Sequence, residues 1–317
     1  MSREAVRSLD MSVRIGLVTM GFPFSSAASY LEWVDMCEDM EVDSLWFSER
    51  LSSTEMRLEP IVTMSLIAGR TSRIKFGMNV TVLPLRDPLV LAKQCATLDF
   101  LSDGRLLPGF GVGAAKAPVV AATGRTAAGR GRYADEMLQI MTRLWREDHV
   151  SFDGEFFQYS DVSISPKPAQ AELPAWIGGH TPAAIRRTAR YGTGWLAGSL
   201  TPTEVGPVIA AIKEATEAEG RHIDDDHFGG GFAFRFGAAD DAAVKQAVSD
   251  QQLIRPMDPA DVVVLGADAM IERARAYVEA GVSKFVLRPV ADNDDEMREQ
   301  VSLLVEHVMP AVHAMST

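Results

Sequence analysis

The chain has 317 residues, of which 47% are hydrophobic, and a formal net charge of −12 at pH 7. This length suits one large α/β barrel and exceeds a typical single β-sandwich. The acidic balance argues against non-specific nucleic-acid binding, which needs a basic face. We therefore predict an enzyme-sized globular protein with a single domain over residues 1–317 and no nucleic-acid partner.

Strand-like and helix-like segments alternate along the whole chain. The predicted strands cover residues 13–18, 43–47, 73–82, 105–113, 175–178, 194–197, 230–236 and 284–288. The predicted helices cover residues 30–40, 60–69, 88–101, about 132–146, 182–191, 202–219 and about 294–314. Eight strand–helix units favour a parallel sheet closed into a (β/α)8 TIM barrel, with an open doubly wound sheet as the alternative.

Three segments interrupt this alternation. Residues 114–131 are rich in Ala, Gly, Thr and Arg, and residues 149–174 hold short aromatic pieces typical of a hairpin. Residues 237–281 contain two helical stretches separated by a Pro-containing break. Long insertions after barrel strands form the substrate side, so we predict insertions after strands four and seven.

The first of these segments is locally cationic. Its basic residues are Lys116, Arg125, Arg130 and Arg132, and no acidic residue lies between Ala114 and Tyr133. Charged loops are usually solvated surfaces. The alternative is a lid that meets an anionic ligand.

The two cysteines and the lengths of the apolar segments indicate where in the cell the protein is located. Cys37 and Cys95 lie in apolar stretches of helical spacing, and no Cys/His ligand spacing accompanies them. We expect reduced, buried thiols and a cytoplasmic location. The first twelve residues lack the apolar core of a signal peptide, and no apolar run approaches the roughly 18 residues of a spanning helix. We therefore expect no membrane segment.

The segment after predicted strand five is typical of an anion site. Gly178 and Gly179 end the strand, and His180 leads into a helix with Thr181 as a good N-cap and Pro182 in its first turn. Helix N-termini present N–H groups and a positive dipole end to anions, most often phosphate. The pattern predicts a phosphate cradle at the carboxyl end of a strand, and hence a phosphorylated cofactor or substrate.

Other strand ends carry candidate site residues. Glu49 and Arg50 follow strand two, either as a polar cluster facing a ring or as an ordinary loop ion pair. Asn79 lies inside an otherwise apolar strand, where it needs a hydrogen-bond partner in the backbone or a ligand. The GFGVG sequence at 109–113 is weak evidence for a dinucleotide fold, and its glycines either admit a flat ligand or form a tight turn.

Several reaction classes lack their motifs. No GxSxG nucleophile elbow and no GxxxxGK[ST] phosphate loop occurs in the sequence. The RHIDDDH run at 221–227 carries His and Asp, but its spacing implies no fixed ligand geometry. We predict no metal site.

Four stretches resemble the luciferase-like family of flavin- and deazaflavin-dependent oxidoreductases. They are LWFSER at 45–50, KFGMNVTVLPLRDP at 75–88, ATLDFLSDGR at 96–105, and PAWIGGH at 174–180 with its continuation to Trp195. The third stretch is the most specific, and the likeness covers residues 13 to about 219 well. It implies a TIM barrel that binds FMN or the deazaflavin F420 at the carboxyl ends of the strands.

The resemblance also implies roles for individual residues. Asn79 and Val80 match a non-prolyl cis peptide bond behind the ring in F420-using relatives, and Glu49 matches a polar residue near the ring. The backbone that approaches the cofactor is matched by Gly111, Val112 and Gly113, and the phosphate-binding turn by Gly178, Gly179 and His180. We take Glu49, Arg50 and His180 as the candidate proton donors or orienting groups.

The chain also departs from its relatives. Arg50 stands where relatives often have His, and Ala114 stands where the family's glucose-6-phosphate dehydrogenases have an acid. Pro108 interrupts predicted strand four. These departures argue against glucose-6-phosphate dehydrogenase activity and keep a noncatalytic flavin-binding barrel as one alternative.

The resemblance leaves two cofactors open. The stretches at 48–50 and 77–80 are more similar to F420-using relatives than to FMN-dependent monooxygenases, and the cationic segment could receive the anionic tail of F420. We therefore expect F420-dependent hydride transfer to or from a small organic substrate. The alternative is an FMN-dependent monooxygenase that uses O2 and reduced flavin from a partner flavin reductase. The family likeness suggests a homodimer.

Overall fold

The computed structural model describes residues 13–114, 118–124 and 128–315. The strands are β1 (Arg14–Thr19), β2 (Ser44–Phe47), β3 (Lys75–Met78), β4 (Thr81–Val82), β5 (Leu106–Leu107), β6 (Gly109–Gly111), β7 (Val150–Asp153), β8 (Gln158–Val162), β9 (Trp176–Gly178), β10 (Gly194–Leu196), β11 (Phe228–Gly230), β12 (Ala233–Arg235), β13 (Val263–Leu265) and β14 (Lys284–Pro289). The helices are α1 (Ala27–Asp39), α2 (Pro60–Arg70), α3 (Pro88–Leu101), α4 (Pro118–Ala122), α5 (Arg130–Arg146), α6 (Pro182–Tyr191), α7 (Pro202–Ala218), α8 (Ala242–Ile254), α9 (Pro259–Val262), α10 (Ala267–Glu279), α11 (Asp294–His307) and α12 (Met309–His313).

The main sheet is parallel and curls back on itself. Its order is β4-β6-β9-β10-β11-β14-β1-β2-β3-β5. The outermost strands of this order are β4 at one end and β5 at the other. Along the chain β4 follows β3, which lies at the β5 end of the order, and β5 precedes β6, which lies at the β4 end. Its strands are short and largely buried, as parallel strands covered by helices must be. This α/β fold is consistent with the predicted TIM barrel.

Two predicted strands are interrupted. Strand three breaks at Asn79 and Val80, whose peptide bond is cis. Strand four breaks at Pro108, because proline has no backbone N–H to donate to the neighbouring strand. The Pro108 carbonyl still accepts from the backbone N–H of Trp176 at 2.9 Å. Both interruptions lie near the carboxyl ends of their strands, where they shape the mouth of the barrel.

The carboxyl-terminal half differs in detail from the sequence prediction. Strand seven is divided into β11 and β12. The strand β13, which pairs with β12, was missed because it lies in the segment 237–281, whose pattern favours helices. The predicted last helix is two helices, α11 and α12. Pro310 lies in the first turn of α12, and a proline cannot continue α11 because it lacks an N–H.

The hairpin prediction is confirmed. β7 and β8 pair antiparallel, with Val150 opposite Val162, and they lie between α5 and β9. Among the residues that the structure describes, no helix combines the length and the apolar character needed to cross a bilayer.

Candidate active site at the barrel mouth

A cavity of about 470 Å³ opens at the carboxyl ends of the barrel strands. Its base is formed by the carboxyl ends of β1, β2, β3, β10, β11 and β14 and by the start of β12, and the last turns of α8 form one wall. Its volume lies within the usual range of small-molecule sites, roughly 300–1,000 Å³. This end of a barrel is where enzymes of the fold place their chemistry.

Two of the predicted site residues line this cavity. Asn79 lies at its base, and its N–H donates to the Phe47 carbonyl at 2.7 Å, which ties the interruption of strand three to β2. Arg50 lies on the rim and is exposed. The cis peptide bond between Asn79 and Val80 agrees with the geometry implied by the resemblance.

Glu49 points away from the cavity. Its fully buried side chain accepts from the Val82 N–H at 2.6 Å and pairs with Arg86, which also contacts Glu59 at 2.5 Å. Burial raises the pKa of Glu49, although Arg86 and the Val82 N–H act in the opposite direction. These contacts join the end of β2 to the segment after β4, and a catalytic role for Glu49 stays a prediction.

The helix start after β9 is as predicted. α6 begins at Pro182, and the Thr181 side chain accepts from the Ala184 N–H at 3.2 Å. His180 and Thr181 are exposed, and the Gly179 carbonyl accepts from the Trp195 indole N–H at 2.8 Å. The N-terminus of α6 therefore faces solvent at the carboxyl end of the barrel.

Packing explains several of the glycines that we predicted to approach the cofactor or its phosphate. A Cβ on Gly111 would lie 2.6 Å from Val80 Cγ2, and a Cβ on Gly178 would lie 3.0 Å from Val80 Cγ1. A Cβ on Gly113 would lie 2.7 Å from Val82 Cγ1, while Val112 packs against the core. The sequence suggested that such glycines admit a ligand, but valine side chains occupy this space. Cofactor contact by Gly111, Val112, Gly113 and Gly178 stays a prediction.

The cationic segment is only partly described. Lys116 and Arg125 lie outside the described residues, and Arg132 pairs with Glu155 at 2.9 Å on the surface. The Arg130 Nε is buried, with no hydrogen-bond partner among the described residues. The carbonyl of the next residue, Gly131, accepts from Arg187 at 3.1 Å, so the start of α5 is joined to the middle of α6.

These residues fit a phosphate-bearing ring cofactor. The exposed start of α6 suits an anion, as does the Arg130 Nε, which has no partner within the part of the chain that the structure describes, and the cavity over Asn79 suits a ring. Asp224, Asp226 and His227 gather their ligand atoms within 4.8 Å, but they lie near the amino ends of β1 and β10. That acidic group is separate from the cavity.

The most specific family motif is structural. Arg105 donates to the carbonyls of Ala68, Thr71, Ile74 and Ser102, and so holds the ends of α2 and α3. Asp99 accepts from the Gln170 N–H at 3.0 Å and from its side-chain amide at 2.7 Å. Neither residue lines the cavity.

The sequence analysis missed two arginines of the cavity, Arg57 and Arg288. Arg288 ends the eighth predicted strand, so its position after a barrel strand was a usable signal. Arg57 lies in a segment between β2 and α2 with no periodic pattern, so only the folded chain identifies it.

Comparison with known proteins identifies the family. Residues 12–307 match the family described as luciferase-like monooxygenase. The chain belongs to this family. An F420-dependent glucose-6-phosphate dehydrogenase of Amycolatopsis mediterranei is 25% identical, over 90% of this chain and 94% of that protein.

Two further comparisons define the extent of the likeness. A Mycobacterium tuberculosis protein is 34% identical over 165 residues, 52% of this chain and 56% of that protein, so the chain spans about half the length of this relative. The structure of an F420-dependent secondary alcohol dehydrogenase, solved with an F420–acetone adduct, has a TM-score of 0.80 at 18% identity and covers 95% of this chain and 99% of that one. This likeness supports the fold of the luciferase-like enzymes.

Proposed function

We propose that this luciferase-like protein is an F420-dependent oxidoreductase that transfers hydride to or from a small organic substrate. The main support for this proposal is that the exposed start of α6 and the cavity over Asn79 lie at the same end of the barrel. Such a pair of sites suits a cofactor with an anionic tail and a flat ring. When bound, F420 supplies hydride exchange at its ring, and the protein positions the ring and excludes competing reactions.

The chain's own residues have separate tasks in this proposal. The α6 N-terminus, with Gly179, His180 and Thr181, holds the anionic tail, and Arg130 adds a donor beside it. Asn79 and Val80 support the ring from the base of the cavity. His180 is an exposed group available to hold or move a proton, and Arg50, whose guanidinium stays charged, is available to orient the reacting molecule.

A titration of the protein with F420 and FMN, followed by fluorescence, tests the proposal. Ala183→Asp places a carboxylate in the exposed first turn of α6, where an acid stabilises the helix but competes with an anion. Ala183→Asn is the neutral control of the same size. We expect F420 binding by the parent protein, a loss of about tenfold in Ala183→Asp, and little change in Ala183→Asn. Equal affinity in both variants would remove the anion site from the proposal.

An FMN-dependent monooxygenase is the second candidate, favoured by the family description. It would use O2 and reduced flavin from a partner reductase. Tight FMN binding with no F420 binding would select it, and loss of binding to both would select a noncatalytic barrel. The free, buried thiols of Cys37 and Cys95 agree with the proposed cytoplasmic location.

We infer that the β7–β8 hairpin and the region from α8 to α10 are the two insertions on the substrate side. We also propose a homodimer. α2 and α3 pack together and expose a group of apolar side chains, which are Val62, Leu66, Val90, Phe100 and Leu101. Large apolar side chains exposed together on packed helices are typical of interaction sites.

A further inference from the structure

We propose that the cavity binds a substrate with a carboxylate group on an apolar body, and that Arg288 and Arg57 hold the carboxylate. This inference rests on the proposed function, because it names the class of molecule that the cavity would present to the cofactor. Two observations support it. Several hydrogen-bond donors of the cavity have no acceptor among the described residues, and exposed apolar side chains form the rim of the cavity.

The cavity holds donors without acceptors. The Nε of Arg57 and the side-chain nitrogen of Gln251 are buried and have no hydrogen-bond partner among the described residues. The guanidinium of Arg288 forms no hydrogen bond or ion pair within the described part of the chain. A buried donor without an acceptor destabilises the folded state, and more so when it is charged. A ligand that brings acceptor oxygens would remove this destabilisation.

The acidic residues of the cavity are largely engaged elsewhere. Glu55 accepts from the other end of Arg57 at 2.6 Å, and Asp261 pairs with Arg273 at 2.9 Å. Asp250 accepts from Gln246 at 2.8 Å and acts on Arg288 only through its charge. Burial lowers the pKa of Arg288, Asp250 opposes that shift, and Arg57 adds to it. A guanidinium nevertheless stays charged, so Arg288 is left as a cation without an ion pair among the described residues, and Arg57 keeps its Nε donor for an incoming anion.

The rim of the cavity is apolar. Leu253 is 85% exposed and Ile254 is 65% exposed, and both line the opening together with Met20, which is 42% exposed. Covering apolar side chains that are exposed around a pocket removes apolar surface from water and so favours binding of a ligand with an apolar part. The anion recognised by the arginines should therefore be attached to an apolar body.

The α8 wall that carries this rim is held in place. Arg255, the residue after α8, donates to both carboxylate oxygens of Glu204 in the first turn of α7, at 3.0 and 2.8 Å. This two-point contact fixes the end of α8 beside the cavity. Leu253 and Ile254 are thus presented by an anchored helix.

Calorimetry of the purified protein with octanoate, octan-1-ol and inorganic phosphate tests the inference. Octanoate should bind about tenfold or more tightly than octan-1-ol, which lacks the charge, and than phosphate, which lacks the apolar body. Equal affinity for octanoate and octan-1-ol would overturn the role of the arginines. Equal affinity for octanoate and phosphate would overturn the role of the rim.

Substitutions assign the effect to particular residues. Arg288→Met and Arg57→Met should each weaken octanoate binding by about tenfold and leave octan-1-ol unaffected. Arg190→Met is the matched control, because it removes one arginine paired with Glu219 on the surface. Circular dichroism confirms folding, and if one cavity variant does not fold the other carries the test. A cavity variant that behaves like the control overturns the inference.

Cofactor binding by the same variants separates this inference from the proposed function. If Arg288→Met loses F420 or FMN but keeps octanoate, the donors serve the cofactor and the inference is overturned while the function stands. If the parent protein binds neither cofactor but its octanoate binding depends on Arg288, the inference is supported and the proposed function fails.

Discussion

Val80 fills the space above Gly178, such that a Cβ on the glycine would lie 3.0 Å from Val80 Cγ1. The same side chain lies against Gly111. Three strands therefore meet through one valine at the edge of the mouth, because Val80 follows β3 while the two glycines belong to β6 and β9. The glycines are part of the packing that fixes the base of the site.

The first prediction concerns this packing. Gly111→Ala should destabilise the protein by about 1–3 kcal/mol, because the new methyl group would lie 2.6 Å from Val80 Cγ2. Gly69→Ala is the control, since nothing lies within 4 Å of a Cβ there and alanine favours the helix. Urea unfolding measures both. The double variant Gly111→Ala, Val80→Ala should regain part of the loss, and a strictly additive result would contradict the contact.

The second prediction concerns Glu49. Glu49→Gln should lower the free energy of unfolding by about 2–3 kcal/mol, because it removes the buried partner of Arg86 although Glu59 remains. Glu172→Gln breaks an exposed ion pair with Arg146 and should cost at most about 0.5 kcal/mol. Denaturant unfolding compares the two. A loss of turnover in Glu49→Gln without loss of stability would instead indicate a catalytic role.

The third prediction is a pH dependence from Glu204. Arg255 and then the Thr201 N–H hold the pKa of Glu204 at about 2, below its ordinary value of 4.5. Because this pKa is depressed in the folded state, the stabilisation is present above pH 4.5 and is lost as the pH falls towards 2. Glu204→Gln should therefore cost about 1 kcal/mol at pH 7 and less at pH 3.5. A difference between parent and variant that does not change with pH would contradict this.

The fourth prediction concerns Arg105. Arg105→Lys should destabilise the protein by about 2–4 kcal/mol, because an ammonium group cannot reach the several carbonyls that the guanidinium joins. Cofactor affinity of the folded variant should be unchanged. Thermal unfolding and the F420 titration measure the two effects, and a selective loss of affinity would place Arg105 in the site.

The fifth prediction concerns the oligomer. Leu101→Glu should convert the proposed dimer to a monomer, because Leu101 is 72% exposed within the apolar face of α2 and α3. Leu253→Glu changes an equally apolar side chain, 85% exposed, at the cavity rim and should leave the dimer intact. Light scattering after size-exclusion chromatography decides between the two states. If the parent protein is already a monomer, the proposed homodimer is wrong.

Local signals explain the successful parts of the sequence analysis. Apolar runs and helical spacing located most strands and helices, and Thr181 with Pro182 correctly marked the start of α6. The short strand β13 was missed because the surrounding segment favours helices, and the break before α12 was missed although Pro310 marks it.

Neighbouring residues alone specify most of the elements, the start of α6 and the family motifs, because periods, caps and motifs are local properties of the chain. The ion pair of Glu49 with Arg86 and the cavity shared by Arg57 and Arg288 appear only in the folded chain. Those relationships depend on closure of the sheet, which brings together strand ends that are distant along the chain.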